Sequence, residues 1–148
     1  MKPAIRIAPF RLRQLERILQ IERACFGKDA WPRGYFLEMY RAGSLFLAAK
    51  SGGRIAGYAL ACAEKRGAEI ASLAVHPQYR RRGIAGALMR DTLRRLRAAG
   101  VHRVELTVRT GNTAALELYR SLGFRKMRLD PRYYEDGADA FVMARAIQ

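Results

Sequence analysis

Cysteine, histidine and tryptophan are scarce in this sequence, with two, two and one among 148 residues. Cys25 and Cys62 lie in separate segments outside any CxxC spacing. With only His76 and His102 beside them, they match no zinc-ligand pattern, and no metal is expected. A disulfide framework is unnecessary, because a chain of this length buries roughly 68–70% of its unfolded surface. The expectation is a pair of buried, reduced thiols in a cytoplasmic protein. A cysteine nucleophile would need a partnered base, and no residue nominates itself. Long apolar runs are missing as well. None approaches the roughly 20 residues that cross a bilayer, and residues 1–10 alternate apolar and charged without a signal-peptide core. Membrane-spanning and secreted classes are set aside.

Acidic residues and lysine are also few. Thirteen Asp and Glu face 28 Lys and Arg, giving a formal net charge of +15, and only Lys2, Lys28, Lys50, Lys65 and Lys126 are lysines. The field favours anionic partners: a phosphorylated cofactor, nucleic acid or an acidic protein surface. The lack of lysine and of an alternation of basic and aromatic residues argues against a stacking platform for nucleic acid. Half the residues are apolar and 28% charged, a balance that gives a globular fold. There are no repeats, low-complexity tracts or linkers, so residues 1–148 read as one domain.

Periodicity organises the chain. Lys2–Ala8 alternates as a strand; Leu12, Leu15, Ile18, Leu19, Glu22 and Cys25 form a helical stripe, and Pro32 opens a helix through Tyr40. Ser44–Lys50 and Arg54–Ala63 flank Ser51-Gly52-Gly53 as a hairpin. Glu69–Val75 is a strand ended by His76-Pro77. A helix follows with Ile84, Leu88, Met89, Leu93 and Leu96 inside, closed by Gly100. Arg103–Val108 is a strand with Val104, Leu106 and Val108 on one face and Glu105 and Thr107 on the other. Asn112–Leu122 is helical and capped by Gly123; Phe124–Leu129 and Ala138–Ala146 are the last strands. The order β-α-α-β-β-β-α-β-α-β-β gives a mixed α/β domain with helices on both faces of the sheet.

Two stretches carry chemistry. Arg80-Arg81-Arg82-Gly83-Ile84-Ala85-Gly86 joins a strand to a helix. Unpaired amides at a helix start bind phosphate oxygens, the small residues let an anion approach, and the arginines add charge. The stretch is neither a Walker loop nor a dinucleotide GxGxxG. Asn112, Ala115, Leu116 and Tyr119 share one face of the later helix. Asn112 also fits a capping role, and Tyr119 either packs in the core or supplies a proton.

These residues resemble a known family. Arg80-x-x-Gly83-x-Ala85 after the strand ending at Val75 is similar to the acyl-CoA signature of the GNAT superfamily of N-acetyltransferases. Arg109-Thr110-Gly111-Asn112 with Ala115, Leu118-Tyr119 and Leu122-Gly123-Phe124 resembles its second block. The element order matches as well. Ala30-Trp31-Pro32 with Phe36 beyond it, and Tyr133-Tyr134 with Gly137-x-Asp139-Ala140 and Met143, resemble the protein N-terminal acetyltransferases, and among them the ribosomal-protein alanine acetyltransferases.

The resemblance implies the GNAT fold and acetyl-CoA lying where two parallel strands splay. It implies pyrophosphate on the amides of Arg81, Arg82, Gly83, Ile84 and Ala85, with Arg80 and Gly86 beside them. The thioester would run along Leu73, Ala74 and Val75. Asn112 would bind the pantetheine and Tyr119 would protonate the departing thiolate. Trp31, Tyr35, Tyr133 and Tyr134 would frame a protein N-terminus, with a ribosomal protein as one substrate. The alanine acetyltransferases carry a glutamate base on the fifth strand, where this chain has Thr107. Glu69, at the position of the base in the histone-acetyltransferase branch, ranks first as its replacement, and Glu105 second. A lysine side chain, polyamine or other small amine is the alternative acceptor. An RNA- or ribosome-binding module is the alternative outside enzymes.

Overall fold

A computed structural model describes residues 3–147; Lys2, expected to open the first strand, lies outside them. The strands are β1 (Ile5–Pro9), β2 (Leu45–Ser51), β3 (Arg54–Glu64), β4 (Gly67–Val75), β5 (Arg103–Arg109), β6 (Arg125–Asp130) and β7 (Ala140–Ala146). The helices are α1 (Leu15–Phe26), α2 (Arg33–Arg41), α3 (Ile84–Ala98) and α4 (Thr113–Ser121), and short 3-10 turns cover Leu12–Gln14, Gly27–Asp29 and Pro77–Tyr79. The seven strands form one mixed sheet in the order β1-β2-β3-β4-β5-β7-β6. β4 and β5 run parallel, with Ala68 opposite Val104 and Glu69 opposite Glu105. The expected element order is borne out throughout. The described residues cluster into two compact units: one holds residues up to Cys62 and Ala71–Thr92, the other Ala63–Ile70 and residues from Leu93 onward.

In the first unit the hairpin turns on Gly52 and Gly53, at φ of 61° and 81°, the left-handed pair that a two-residue turn requires. β3 is buried from Ile55 to Ala61, which fits its near-continuous apolar run. One cluster packs Ile18, Leu19, Ile21 and Phe36 of α1 and α2 against Phe46, Tyr58 and Leu60. A second packs Ile84 and Leu88 of α3 against Leu47, Ala49, Ala56 and Ala59. Each large side chain so buried is worth about 1.5–3 kcal/mol. Leu12 departs from the expected stripe: it sits in the 3-10 turn and is 48% exposed, so the helical period starts at Leu15. Pro32 is the N-cap of α2 rather than part of its first turn.

Gly57 shows where β3 admits no side chain. A Cβ there would stand 2.6 Å from the Ala74 carbonyl oxygen and 3.2 Å from Val75 Cγ2. Gly57→Ala must push β4 aside beside the main chain expected to face the thioester. We expect a loss of about 1–3 kcal/mol, the usual cost of overpacking, read as a lower midpoint in urea at unchanged slope.

In the second unit β5 alternates as expected, burying Val104, Leu106 and Val108 and leaving Arg103, Glu105, Thr107 and Arg109 partly exposed. β7 lies between β5 and β6, pairing antiparallel with both. β6 is therefore an edge strand and is open on both faces, with Met127 54% exposed. α4 is capped by the Asn112 side chain, whose Oδ1 accepts from the Ala115 N–H at 3.2 Å. It is closed by Gly123 at φ 88°. Among the described residues no helix is long and apolar enough to cross a membrane.

Candidate functional site

The loop after β4 is built to expose amides. The turn at Pro77–Tyr79 is stabilised by His76, whose Nδ1 accepts from the Gln78 N–H at 3.1 Å. Arg81 then takes φ 63° and Gly83 φ 76°. Left-handed residues on either side of Arg82 are the kind of backbone from which anion-binding concavities of successive N–H groups are built. The loop leads into the first turn of α3, whose amides are unpaired and partly positive. A Cβ at Gly83 would meet nothing within 4 Å, so open space lies over the loop, and its shape and charge fit a diphosphate.

The signature arginines divide their work. Arg80 turns back: its Nε donates to the Val75 carbonyl at 3.3 Å and its Nη2 reaches Cys25 Sγ at 3.4 Å. Arg82 stacks over the Tyr79 ring, 5.1 Å from its centroid. Arg80 thus braces the loop against the end of β4. The expected pair of buried thiols is corrected here: Cys25 and Cys62 are each only half-buried. Cys25 donates to the Val75 carbonyl at 3.3 Å, and burial pushes its thiol above the usual range, away from thiolate chemistry.

In the same unit Trp31 is 47% exposed, its ring stacked on Tyr35 at 4.4 Å and 15°. Beneath this pair lies a polar group that sequence reasoning missed. Glu22, 1% exposed on α1, accepts from the Trp31 N–H at 2.9 Å and from the Tyr58 and Ser72 hydroxyls. The available signal was a glutamate at a core position of the α1 stripe.

In the second unit Tyr119 is 9% exposed and packs edge-on to Phe124. Burial, and secondarily Tyr134, push its hydroxyl up to about 12. Asn112 uses Oδ1 for capping. Tyr133 is 54% exposed and Tyr134 carries the Arg109 guanidinium 4.0 Å from its ring centroid. Arg109 also holds both oxygens of Asp136 at 3.2 and 3.0 Å, fastening the Tyr-Tyr loop to the end of β5. That clamp too went unread, because its partners are 27 positions apart in the chain.

The acidic candidates sit together. Glu69 faces Glu105 across the parallel pair, and burial followed by the Glu105 charge raises its carboxyl above the usual range. Glu105 pairs with Arg103 at 3.5 Å and is hydrogen-bonded to Glu64, whose carboxyl is likewise raised, chiefly by burial. Thr107 lies on the same face of β5 as Glu105.

Residues 15–124 match the acetyltransferase (GNAT) family, and the chain belongs to that family. It is 39% identical over 137 residues to the N-alpha-acetyltransferase RimI of Mycobacterium tuberculosis, covering 88% of this chain and 85% of that protein. It superposes on the ribosomal-protein-S18-alanine N-acetyltransferase of Escherichia coli with a TM-score of 0.90 at 29% identity, over 98% of this chain and 95% of the other. Ard1 from Thermoplasma volcanium gives a TM-score of 0.91 at 28% identity, over 98% and 99%. The chain is an acetyl-CoA-dependent N-acetyltransferase, and the fold expected from its motifs is borne out.

Proposed function

We propose that the acceptor is the α-amine of a protein N-terminus, ribosomal proteins among the substrates, and that residues 1–148 act as one catalytic domain. One observation carries this reading. The exposed Trp31, on a loop tied down by a buried carboxylate and stacked on the partly buried Tyr35 of α2, offers a rigid apolar frame for a peptide end. The names of the relatives in Mycobacterium tuberculosis and Escherichia coli support the same acceptor. In this reading Tyr133 and Tyr134, fastened by Arg109 and Asp136, also contact the peptide.

Acetyl-CoA is the cosubstrate. The amides from Arg81 to Ala85 hold its diphosphate, the Asn112 amide donates to the pantetheine, and the main chain of Leu73 to Val75 polarises the thioester carbonyl. The amine nitrogen attacks that carbonyl, the C–S bond breaks, and Tyr119 donates to the departing sulfur. Glu69 takes the amine's proton. The proton reaches it through water. Glu105 is the lesser candidate, because Arg103 and Glu64 already occupy it.

A base must be ionised to act, so activity rises with pH through its pKa. The raised Glu69 carboxyl moves that rise above the ordinary glutamate range near 4.3. Glu69→Gln is expected to lower kcat/KM and to leave only the titration of the amine itself, near 7.7–8.0; Glu105→Gln is expected to do so less. Profiles of kcat/KM against pH for both variants check the assignment. The acceptor class is tested by CoA release with three amines: a free-N-terminus peptide, an N-blocked lysine peptide and a polyamine. The first is expected to turn over at least about a hundredfold better than the others, roughly 2.7 kcal/mol of discrimination.

A further inference from the structure

Glu22 takes no part in the chemistry, yet it is buried as completely as the core leucines. An ionisable carboxylate in such a place is costly unless every oxygen is engaged. Here every oxygen is. Oε2 accepts from the Trp31 N–H at 2.9 Å, while Oε1 accepts from the Tyr58 hydroxyl and from Ser72 Oγ at 3.3 Å. Tyr58 and Ser72 lie 2.9 Å apart, so the one Ser72 hydroxyl proton is shared between Oε1 and the Tyr58 oxygen. The partners come from β3, β4 and the loop before α2, so Glu22 is the point at which three segments meet α1.

The Trp31 ring is tied to the same group by a second route. It stacks on Tyr35 at 4.4 Å; Tyr35 meets Phe36 edge-on at 5.6 Å, and Phe36 meets Tyr58 edge-on at 5.8 Å. Both the backbone N–H and the side chain of Trp31 therefore end at Tyr58 and Glu22. If packing alone were needed here, an apolar residue would serve at lower cost. What an apolar residue does not supply is an acceptor aimed at one loop amide. The network also leaves a half-exposed indole in one fixed orientation, which side-chain packing in solvent alone would not secure.

We infer that Glu22 is a positioning residue for the acceptor: it holds the Trp31 loop in the shape that receives the peptide, an inference that rests on the acceptor reading above. Burial raises the Glu22 carboxyl while its three donors pull it back, as expected of a carboxylate kept for its hydrogen bonds.

Trp31 is the only tryptophan in the sequence, so its fluorescence reports this loop directly. The experiment combines acrylamide quenching of that emission with steady-state kinetics on acetyl-CoA and a free-amine peptide. In Glu22→Ala, quenching is expected to rise and the KM for peptide to increase about tenfold or more, with kcat within about threefold and the KM for acetyl-CoA unchanged. Glu22→Gln is expected to restore both readouts. Its amide oxygen can accept from the Trp31 N–H while its NH2 donates to the Tyr58 oxygen. Should Glu22→Ala fail to fold, Tyr58→Phe carries the test, since it keeps the ring contact with Phe36 and removes one donor; the same changes are expected at smaller size. Unchanged quenching, an equal rise in both KM values, or no restoration by Gln would overturn the inference. A wild-type protein that acetylates no free-amine peptide would overturn the acceptor reading and the KM claim with it. Increased quenching in Glu22→Ala would even then establish that Glu22 holds the loop, and unchanged quenching that it does not.

Discussion

Tyr119→Phe is expected to leave the protein folded and able to bind acetyl-CoA, while turnover falls by about 10²–10⁴-fold. The ring is what packs: it lies edge-on to Phe124, and the Tyr119 carbonyl accepts from the Phe124 N–H at 3.0 Å. Phenylalanine keeps both contacts. Only the hydroxyl goes. At about 12 that hydroxyl stays protonated wherever an amine is reactive, so it is always ready to donate. Full transfer to an alkyl thiolate, near 8.5 by analogy with cysteine, is uphill by about 3.5 units, roughly 5 kcal/mol. The hydroxyl therefore acts first as a hydrogen-bond donor to the sulfur as its charge develops, and gives up its proton only as it regains one. The falling limb of kcat against pH should accordingly lie well above pH 10, the ordinary tyrosine value. Single-turnover rates and a CoA-induced shift in Tm check the two halves of this expectation. A fall in rate smaller than about tenfold, roughly 1.4 kcal/mol, would make Tyr119 a packing residue.

The second large effect is expected at Gly83. Acetyl-CoA at a hundred times its Kd stabilises a protein that binds it only when folded by about 2.7 kcal/mol, which raises Tm by several degrees in a chain of this size. Gly83→Val should abolish that shift. Two things change at once: a branched side chain enters the open space over the loop amides, and a non-glycine residue is held at φ 76°. The backbone strain alone costs about 1–2 kcal/mol and lowers the Tm of the unliganded variant. Gly83→Ala separates the contributions, because it brings the strain with the smallest side chain. The expected order of CoA-induced shifts is wild type, then Ala, then Val with none. A full shift in the Val variant would remove the diphosphate from this loop.

Much of the fold was legible because local chemistry determines it. Gly52-Gly53 allows only a tight hairpin, Gly100 and Gly123 end their helices at φ 89° and 88°, and the period of two in β5 separates Val104, Leu106 and Val108 from Glu105 and Thr107. The two motif blocks were legible for the same reason, since each is a short turn beside a helix start. What escaped was non-local. Nothing near residues 138–146 says that β7 inserts between β5 and β6, nor that β6 is left open on both faces. Glu22 reads as one more position in a helical stripe until Trp31, Tyr58 and Ser72 converge on it from 9, 36 and 50 residues away. Leu12 misled in the opposite direction: its spacing suits the α1 stripe, but the 3-10 turn rotates it to the surface.

Transfer to an N-terminal α-amine is tested most directly by giving the protein acetyl-CoA and a single peptide that carries both a free N-terminus and an internal lysine, then locating the added acetyl group by fragment mass spectrometry. The α-amine, near 7.7–8.0, is partly neutral at about pH 7.5, whereas a lysine near 10.4 is almost wholly protonated. A displaced, water-relayed base therefore suffices for the first amine and not for the second. The expected result is one acetyl group, on the N-terminal nitrogen, released with one equivalent of CoA. Acetyl found on the lysine side chain with the N-terminus left free would contradict the assignment.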